Sequence, residues 1–356
     1  MMRMKKKNKS RMLPVAVVIL LDVLVAELIL AGFLLLHPGI IQMAKRQIMP
    51  AQSSTASVKE EMTDDASVML PEETEPPEQE PEVIDTRTEW QIRYADRFTE
   101  ETVVTDHSYT SPEVAIFLET IQYGEGSEQV TYHVADIYVA SIANIRTATA
   151  NNEMAYYSVQ DPMEIDAAAN AILAISGDLY AYQPSGFLMR NGELYKADYT
   201  YCDICVLFSD GRMDTFAKNA YNINDILSQD PLQVWNFGPS LLDENGKVKT
   251  YYEVPTAVGY PNPRSAIGYY TPGHYCFVLV DGRQEGYSAG MRIPDLARVF
   301  EDLGCTCAYN LDGGGSALMT FLHERYSRQS NGAGREISDL ILITEPGFDG
   351  QKEGAA

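Results

Sequence analysis

The residues with the clearest chemical potential are the seven of the segment Asn310-Leu311-Asp312-Gly313-Gly314-Gly315-Ser316. An amide and a carboxylate precede three glycines, which let the main chain turn tightly, approach a ligand closely and direct amide groups at an anion. This combination fits a phosphate or sugar site. A glycine-rich turn in which Asp312 only caps the following segment explains the local pattern equally well.

Two further aspartates follow apolar runs. Asp178 ends the segment Ser176-Gly177-Asp178 after the apolar residues 171–175, and Asp281 follows the apolar residues 274–280. Small and polar residues at the exit of a strand mark places where a loop carries function on a rigid support. Both segments are therefore candidates for contributing to a site.

The elements that must position these residues are short strands and short helices. The predicted strands are 130–140, 145–148 as its continuation after a turn, 171–175, 186–195, 201–210, 274–280 and 306–311, and the predicted helices are 161–170, 223–227 and 293–303. Asn191-Gly192 and Asp210-Gly211 supply the positive backbone angles that hairpins need. The pattern predicts an α+β or mixed α/β fold, with β-sheets flanked by helices in one large domain.

The start of the chain predicts a membrane anchor. Residues 13–36 are almost all apolar, and at about 1.5 Å per helical residue they can cross a hydrocarbon layer of about 30 Å. The basic residues within 1–12 favour a cytoplasmic tail, which places the rest of the chain outside the cell and the protein in the cell membrane as a single-pass protein. A cleaved signal peptide is the alternative, but no small-x-small site follows Leu36.

Two carboxylates within this predicted helix are unusual. Placing the carboxylates of Asp22 and Glu27 in a hydrocarbon layer costs free energy, so they could face a partner helix or a polar cavity. Alternatively, the helix tolerates both carboxyls because they are protonated or reach toward the membrane surface.

Residues 37–90 predict a disordered stalk because they are rich in proline and glutamate and lose apolar periodicity. This stalk carries much of the net charge of −23, and no basic surface remains for nucleic acid. The predicted domain then covers residues 95–346, and 347–356 form a flexible tail.

The cysteines and histidines give no clear site. The odd number of cysteines, five, leaves at least one thiol unpaired. Cys202 and Cys205 could form a redox pair, or a zinc site together with Cys305 and Cys307, but buried thiols or one local disulfide are the favoured interpretation. The five histidines lack metal-ligand spacing.

The segment Asn310 to Ser316 resembles the signature of the phosphodiester glycosidase family, which includes the enzyme that uncovers mannose 6-phosphate by removing N-acetylglucosamine. Other segments resemble further motifs of the family in the same order. They are Ala171 to Asp178, Phe237-Gly238-Pro239 with Gly246, Pro263 to Gly268, Asp281-Gly282-Arg283, Gly286 to Gly290, and Arg335 with Ser338-Asp339. The resemblance covers residues 128–345. Ser176 and Asp178 depart from it, since better-characterised relatives tend to carry Asn and Gly there.

The resemblance implies cleavage of a sugar from a phosphodiester, which needs charge stabilisation at the phosphate and a carboxylate near the anomeric carbon. Asp312 is the expected catalytic carboxylate, and Asp178 or Asp281 the second. Arg264 is expected to bind the phosphate, unless it forms an internal ion pair, and Arg335 either assists or clamps an aspartate. The other expected substrate-binding residues are Ser176, Gly177, Asn310, Gly313, Gly314, Gly315 and Ser316.

The predicted function is extracytoplasmic hydrolysis of a sugar-1-phosphodiester in an envelope glycan or exopolysaccharide. No cofactor is required, although Asp178, Asp281 and Asp312 could instead hold a divalent cation such as Ca²⁺ or Mg²⁺. One alternative is a non-catalytic protein that binds glycans or assists polymer assembly. Another is a subunit of a membrane complex that acts through Asp22 and Glu27.

Overall fold

A computed structural model describes residues 85–330 and 334–348. The predicted basic tail, the anchor at 13–36 with Asp22 and Glu27, almost all of the stalk and the C-terminal tail from residue 349 lie outside the described residues. Within the described ranges, no helix has the length and apolar character needed to cross a membrane.

The regular secondary structure of the described residues is mostly β-strand, with a few short helices. The strands are β1 (Val103–Thr105), β2 (Ser108–Thr110), β3 (Val114–Tyr123), β4 (Val130–Val139), β5 (Ile145–Thr149), β6 (Leu173–Ser176), β7 (Phe187–Arg190), β8 (Glu193–Ala197), β9 (Ile204–Phe208), β10 (Met213–Phe216), β11 (Pro231–Trp235), β12 (Arg264–Thr271), β13 (His274–Val280), β14 (Cys307–Asn310), β15 (Met319–Phe321), β16 (Glu324–Arg325) and β17 (Asp339–Ile343). The helices are α1 (Glu89–Arg93), α2 (Pro162–Ala169), α3 (Ile223–Leu227), α4 (Thr256–Gly259) and α5 (Ile293–Asp302).

The strands form three antiparallel sheets. The first has seven strands in the order β1-β2-β3-β4-β13-β12-β14, the second five in the order β10-β9-β11-β7-β8, and the third five in the order β16-β15-β6-β17-β5. The predicted α+β character is therefore correct in outline, with more sheet and less helix than a mixed α/β fold implies.

Strand β13 of the first sheet is buried on both faces. Phe277 and Leu279 of β13 join the main core, where they meet apolar residues of the second and third sheets. Cys276 and Val278 point the other way, into a second core that includes Leu296 and other residues of α5. Successive side chains of a strand point to opposite faces, so a continuous apolar run satisfies two layers at once.

The outer helices begin and end where local sequence signals place them. The Asp161 side chain accepts a hydrogen bond from Met163 N at 2.8 Å and caps α2, and Asn170 ends the helix in the left-handed conformation. The turns at Asn191-Gly192 and Asp210-Gly211 join β7 to β8 and β9 to β10, as predicted.

Two predictions about organisation need correction. Residues 145–149 do not continue the preceding strand, because β5 pairs with β17 in the third sheet whereas β4 lies in the first. Folded structure also starts before residue 95, since Trp90 of α1 packs against the main core. In both cases the structure depends on a partner that is distant in the sequence, β17 for β5 and the main core for Trp90, and local composition does not indicate such a partner.

Candidate active site

Asp312 lies where the first sheet meets the third. It follows the end of β14, and its backbone N donates to Gly177 O at 2.9 Å, just beyond the end of β6. The hydroxyls of Ser176 in β6 and Ser265 in β12 lie 2.6 Å apart and join the two sheets nearby. Asp312 is therefore held from both sheets, and its position depends on their packing.

The environment of Asp312 raises the pKa of its carboxyl above the usual value. Asp312 is only 6% exposed. Burial raises the pKa of the Asp312 carboxyl, an effect that Arg335 opposes and the charge of Asp178 reinforces. Arg335 Nη2 donates to Asp312 Oδ2 at 2.7 Å, while the Arg335 side chain remains 51% exposed. A carboxyl with a raised pKa can serve as a proton donor near neutral pH.

Asp312 also lines a large cavity. The cavity has a volume of about 870 Å³, near the top of the range of about 300–1,000 Å³ that is usual for ligand pockets. Other lining residues include Phe237, Tyr201, Tyr251 and Tyr252. A carboxylate among aromatic side chains suits a sugar, whose apolar faces stack on rings while its hydroxyls form hydrogen bonds.

Each of the three glycines after Asp312 packs next to one arginine. A Cβ built on Gly313 would lie 3.3 Å from Arg264 Cα and only 2.5 Å from Pro263 O. A Cβ on Gly314 would lie 3.2 Å from Arg283 Nη2, and one on Gly315 3.7 Å from Arg335 Cδ. The glycines therefore let the backbone pack closely against three arginine residues, and at Gly314 the contact is with the guanidinium itself, which suits an anion.

Arg264, the predicted phosphate ligand, is mainly occupied by the protein. Its Nε donates to Met291 O at 3.0 Å, and its Nη2 donates to Val258 O at 2.6 Å and Tyr260 O at 2.9 Å. In residues 85–330 and 334–348, Arg264 has no carboxylate partner. Burial and the neighbouring Arg283 lower its pKa to about 10. A buried cation beside a second cation would be stabilised by a bound anion.

Arg283 was not among the predicted site residues. Its guanidinium donates to Asn262 Oδ1 at 2.7 Å from Nη2, and its side chain packs over Gly314. The segment Asp281-Gly282-Arg283 at the end of a strand was the signal that could have identified it.

Asp178, a predicted second carboxylate, belongs to a buried ionic cluster. Arg190 Nη2 lies 2.8 Å from Asp178 Oδ2, and Arg190 Nε lies 2.8 Å from Asp339 Oδ2. The backbone N atoms of Tyr180 and Asn236 also donate to Asp178, at 3.0 and 3.1 Å. These contacts occupy the Asp178 carboxylate, which does not line the cavity.

Asp281, the other predicted second carboxylate, is also enclosed. Its Oδ2 lies 3.0 Å from His133 Nε2 and accepts from the Tyr287 hydroxyl at 2.8 Å, while Arg328 N donates to Oδ1 at 2.9 Å. It does not line the Asp312 cavity. Its contacts join β13 to β4 and to the loop around Arg328.

The remaining predicted residues surround Asp312 rather than line the cavity. The Ser176 hydroxyl donates to Asp312 O at 3.3 Å, and Ser316 Oγ accepts from Arg335 Nε at 2.6 Å. A Cβ on Gly177 would lie 2.3 Å from Asp339 Oδ1, so this close packing requires glycine. Asn310 donates from Nδ2 to Gly238 O at 2.7 Å, while its buried Oδ1 has no partner among the described residues.

The cavity contains carboxylates that no motif indicated. Asp203 accepts from the Ser240 hydroxyl at 2.7 Å and lies 3.8 Å from Lys249 Nζ. Glu253 pairs with Lys218 Nζ at 2.6 Å. All five residues line the cavity with Asp312. The dense tyrosines and charges of residues 199–203 and 249–255 were the only sequence signal.

The three predicted aspartates do not form one metal-binding cluster. Among the described residues, no group of three or more His, Cys, Asp or Glu side chains is arranged to hold a metal ion. The five cysteines are free thiols, and Cys276 Sγ and Cys305 Sγ lie 3.5 Å apart.

Comparison with known proteins agrees with the arrangement around Asp312. Residues 169–344 match the family model described as phosphodiester glycosidase. This part of the chain belongs to the phosphodiester glycosidase family. The matched range includes Asp312, the three glycines and the arginines beside them.

A relative and a solved structure resemble this phosphodiester glycosidase domain. The SPbeta prophage-derived uncharacterized protein YomE of Bacillus subtilis is 29% identical over 168 residues, which cover 46% of this chain and 26% of YomE. The match thus spans about a quarter of that relative. The auto-inhibited catalytic domain of zebrafish N-acetylglucosamine-1-phosphodiester alpha-N-acetylglucosaminidase has a TM-score of 0.52 at 20% identity, covering 69% of this chain and 88% of that one. At this identity the likeness establishes the fold alone.

Proposed function

We propose that this phosphodiester glycosidase domain hydrolyses a sugar-1-phosphodiester in an envelope glycan or exopolysaccharide. The observation that carries the proposal is Asp312, a carboxyl with a raised pKa that lines the large cavity and begins the glycine segment beside the arginines. The cavity suits the sugar, and the glycine segment suits the phosphate. Asp312 would then lie next to the bond between them.

In this mechanism the bond between C1 of the sugar and the bridging oxygen breaks, and the oxygen leaves with the phosphate. Asp312 donates a proton to the leaving phosphate, whose negative charge is stabilised by Arg283 and Arg335. A water oxygen bonds to C1 and its proton passes to a second carboxylate. Asp203 is our choice for this base, because Ser240 holds it in the cavity and its 3.8 Å contact with Lys249 is looser than the 2.6 Å pair of Glu253 with Lys218.

Asp312→Asn in the full-length protein tests the proposal, because the amide keeps the shape but cannot donate the acid proton. We expect turnover of a panel of sugar-1-phosphodiesters to fall by about 10²–10⁴-fold. Each reaction is run with and without Ca²⁺ or Mg²⁺, which also tests the predicted cation. Asp281→Asn is the matched control because it removes a buried carboxylate outside the cavity. Equal turnover by wild type and Asp312→Asn would refute the catalytic role.

A non-catalytic glycan-binding protein is the second possibility, favoured by the exposed tyrosines of the cavity. Tyr201 is 94% exposed and Tyr251 75% exposed, as in surfaces that bind without chemistry. Calorimetric binding of glycans by the wild type, without release of sugar over long incubation, would support this alternative and exclude hydrolysis.

We also propose that the domain acts outside the cell, attached through residues 13–36. The apolar segment and the basic residues before it support this topology. Protease added to intact cells should degrade the C-terminal domain, and protection equal to that of a cytoplasmic marker would contradict it. A partner helix at Asp22 and Glu27 remains part of this proposal, and crosslinking from position 22 would detect it.

A further inference from the structure

Two cavities adjoin across the short segment 249–254. The Asp312 cavity lies on one side, and a second cavity of about 360 Å³ lies on the other. Lys249, Tyr251, Tyr252 and Val254 line both. The segment is therefore a shared wall, and a ligand that crosses it can occupy both cavities at once.

The two tyrosines of this wall differ in hydrogen bonding and in exposure. The Tyr252 hydroxyl donates to Leu241 O at 2.6 Å and accepts from Lys249 N at 3.2 Å, so its ring is fixed. Tyr251 is 75% exposed. A fixed ring supports the wall, while the exposed neighbour offers an apolar face on which a sugar can stack.

Cationic side chains lie on both sides of the shared wall. Lys249 lines both cavities, and Arg292 lines the second. Arg292 is exposed and forms no ion pair within the described ranges, and its Nη1 donates to Gly259 O at 3.5 Å. An uncompensated guanidinium at the far cavity suits a phosphate because its donors match the phosphate oxygens.

We infer that the two cavities are consecutive subsites for a phosphate-bridged glycan chain. This inference rests on the proposed function and specifies its substrate class. A single sugar-1-phosphodiester engages only the Asp312 cavity and the adjacent glycine segment. The next repeat of a polymer would cross Tyr251 and place its phosphate at Arg292, so the enzyme would cleave linkages within or near the end of a polymer.

Binding and turnover test the inference separately. The full-length Asp312→Asn protein is titrated calorimetrically with oligomers of one, two and three phosphate-bridged hexose or N-acetylhexosamine repeats, and wild-type turnover of the same oligomers is measured in parallel. We expect the second repeat to strengthen binding about tenfold, equivalent to about 1.4 kcal/mol. Arg292→Ala, in the Asp312→Asn background, should remove most of this gain without changing affinity for the single repeat. Tyr251→Ala in the same background should weaken binding of the single repeat as well, because Tyr251 lines both cavities.

Arg298→Ala is the matched control. Arg298 is an exposed arginine of α5, the helix that begins directly after Arg292, and it lines neither cavity. It should leave the gain from the second repeat intact. A loss of the gain in Arg298→Ala as large as in Arg292→Ala would indicate a general charge effect and overturn the subsite.

The outcomes separate the subsites from the hydrolysis. Turnover of the single repeat with no gain in affinity from the second overturns the subsites and leaves the proposed function intact. A gain that depends on Arg292, without turnover of any oligomer, supports the subsites and refutes hydrolysis. If no oligomer binds and none is turned over, both the subsites and the proposed hydrolysis are refuted.

Discussion

Two aspartate–arginine pairs in this molecule have almost the same length and opposite surroundings. Asp178 and Arg190 lie 2.8 Å apart with side chains that are 0% and 1% exposed, whereas Asp312 and Arg335 lie 2.7 Å apart with Arg335 51% exposed. The first pair also contacts Asp339, and the backbone N atoms of Tyr180 and Asn236 donate to Asp178. The second adjoins a cavity.

The difference separates an architectural role from a chemical one. A buried pair whose members satisfy each other cannot exchange partners without leaving an uncompensated charge. A half-exposed arginine can release its carboxylate toward a ligand at small cost, because water screens the interaction. The enclosed cluster therefore fixes the sheets, and the open pair can take part in a reaction.

The largest expected effect tests the enclosed cluster. Arg190→Met leaves Asp178 and Asp339 buried without a cation, so the free energy of unfolding should fall by about 3–5 kcal/mol. Arg335→Met, which breaks the open pair, should cost less, because Arg335 is half exposed and the Asp312 carboxyl, whose pKa is already raised by burial, can take up a proton. Urea denaturation measures both, and equal losses would remove the distinction between the pairs.

The next effect compares buried and cavity-lining carboxylates. Asp281→Asn removes charge from the contacts with His133 and Tyr287, and should lower the free energy of unfolding by about 1–3 kcal/mol. Turnover per folded molecule should stay near the wild-type value, in contrast to Asp312→Asn. If Asp281→Asn abolished turnover while retaining its fold by circular dichroism, Asp281 would act in catalysis after all.

A smaller effect concerns stability and pH. Burial raises the pKa of Asp339 to about 7, an effect that Arg190 opposes and the charge of Asp178 reinforces. The folded state therefore holds this proton after the unfolded state has lost it, and this contribution to stability declines as pH rises from about 4 to about 7. In urea titrations across this range, Asp339→Asn should show a shallower decline than the wild type. Parallel curves would contradict the raised pKa.

The smallest effect is a shift in the pH profile of turnover. Arg335 lowers the pKa of Asp312 against the larger effect of burial. Arg335→Gln should therefore raise that pKa further, and the decline of kcat/KM at alkaline pH should begin at higher pH. The profile of Arg325→Gln, which alters an exposed arginine of β16, should match the wild type. A shift to lower pH in Arg335→Gln would show that Asp312 does not act as the acid.

Much of the local structure could be predicted from the sequence. The predicted bounds of α3 and β13 match the structure, and those of α2 and α5 differ by a residue, because capping residues and apolar runs are local signals. Asp312 was also predicted, and the structure places it in the cavity. Asp178 and Asp281 carried the same signal at strand ends, but Arg190 and His133 enclose them, and these partners come from distant strands.

Asp203, the second carboxylate of the cavity, is a site residue that no sequence motif indicated. Asp203 belongs to no motif, and it reaches the cavity because Ser240, 37 residues later, donates a hydrogen bond to it. Arg283 likewise faces Gly314 only because the loops after β13 and β14 meet. Neither contact has a counterpart in the order of residues along the chain.

The sequence by itself determined several elements, among them β13, α2, α3 and α5, the family of residues 169–344 and the glycine segment that starts at Asp312. These features depend on residue type and on neighbours within a few positions, which a single sequence displays. The tertiary structure alone decided which aspartate lines the cavity, which arginines lie beside the glycines, and that a second cavity continues past Tyr251. Burial and pairing decide these outcomes, and both depend on which distant strands pack together.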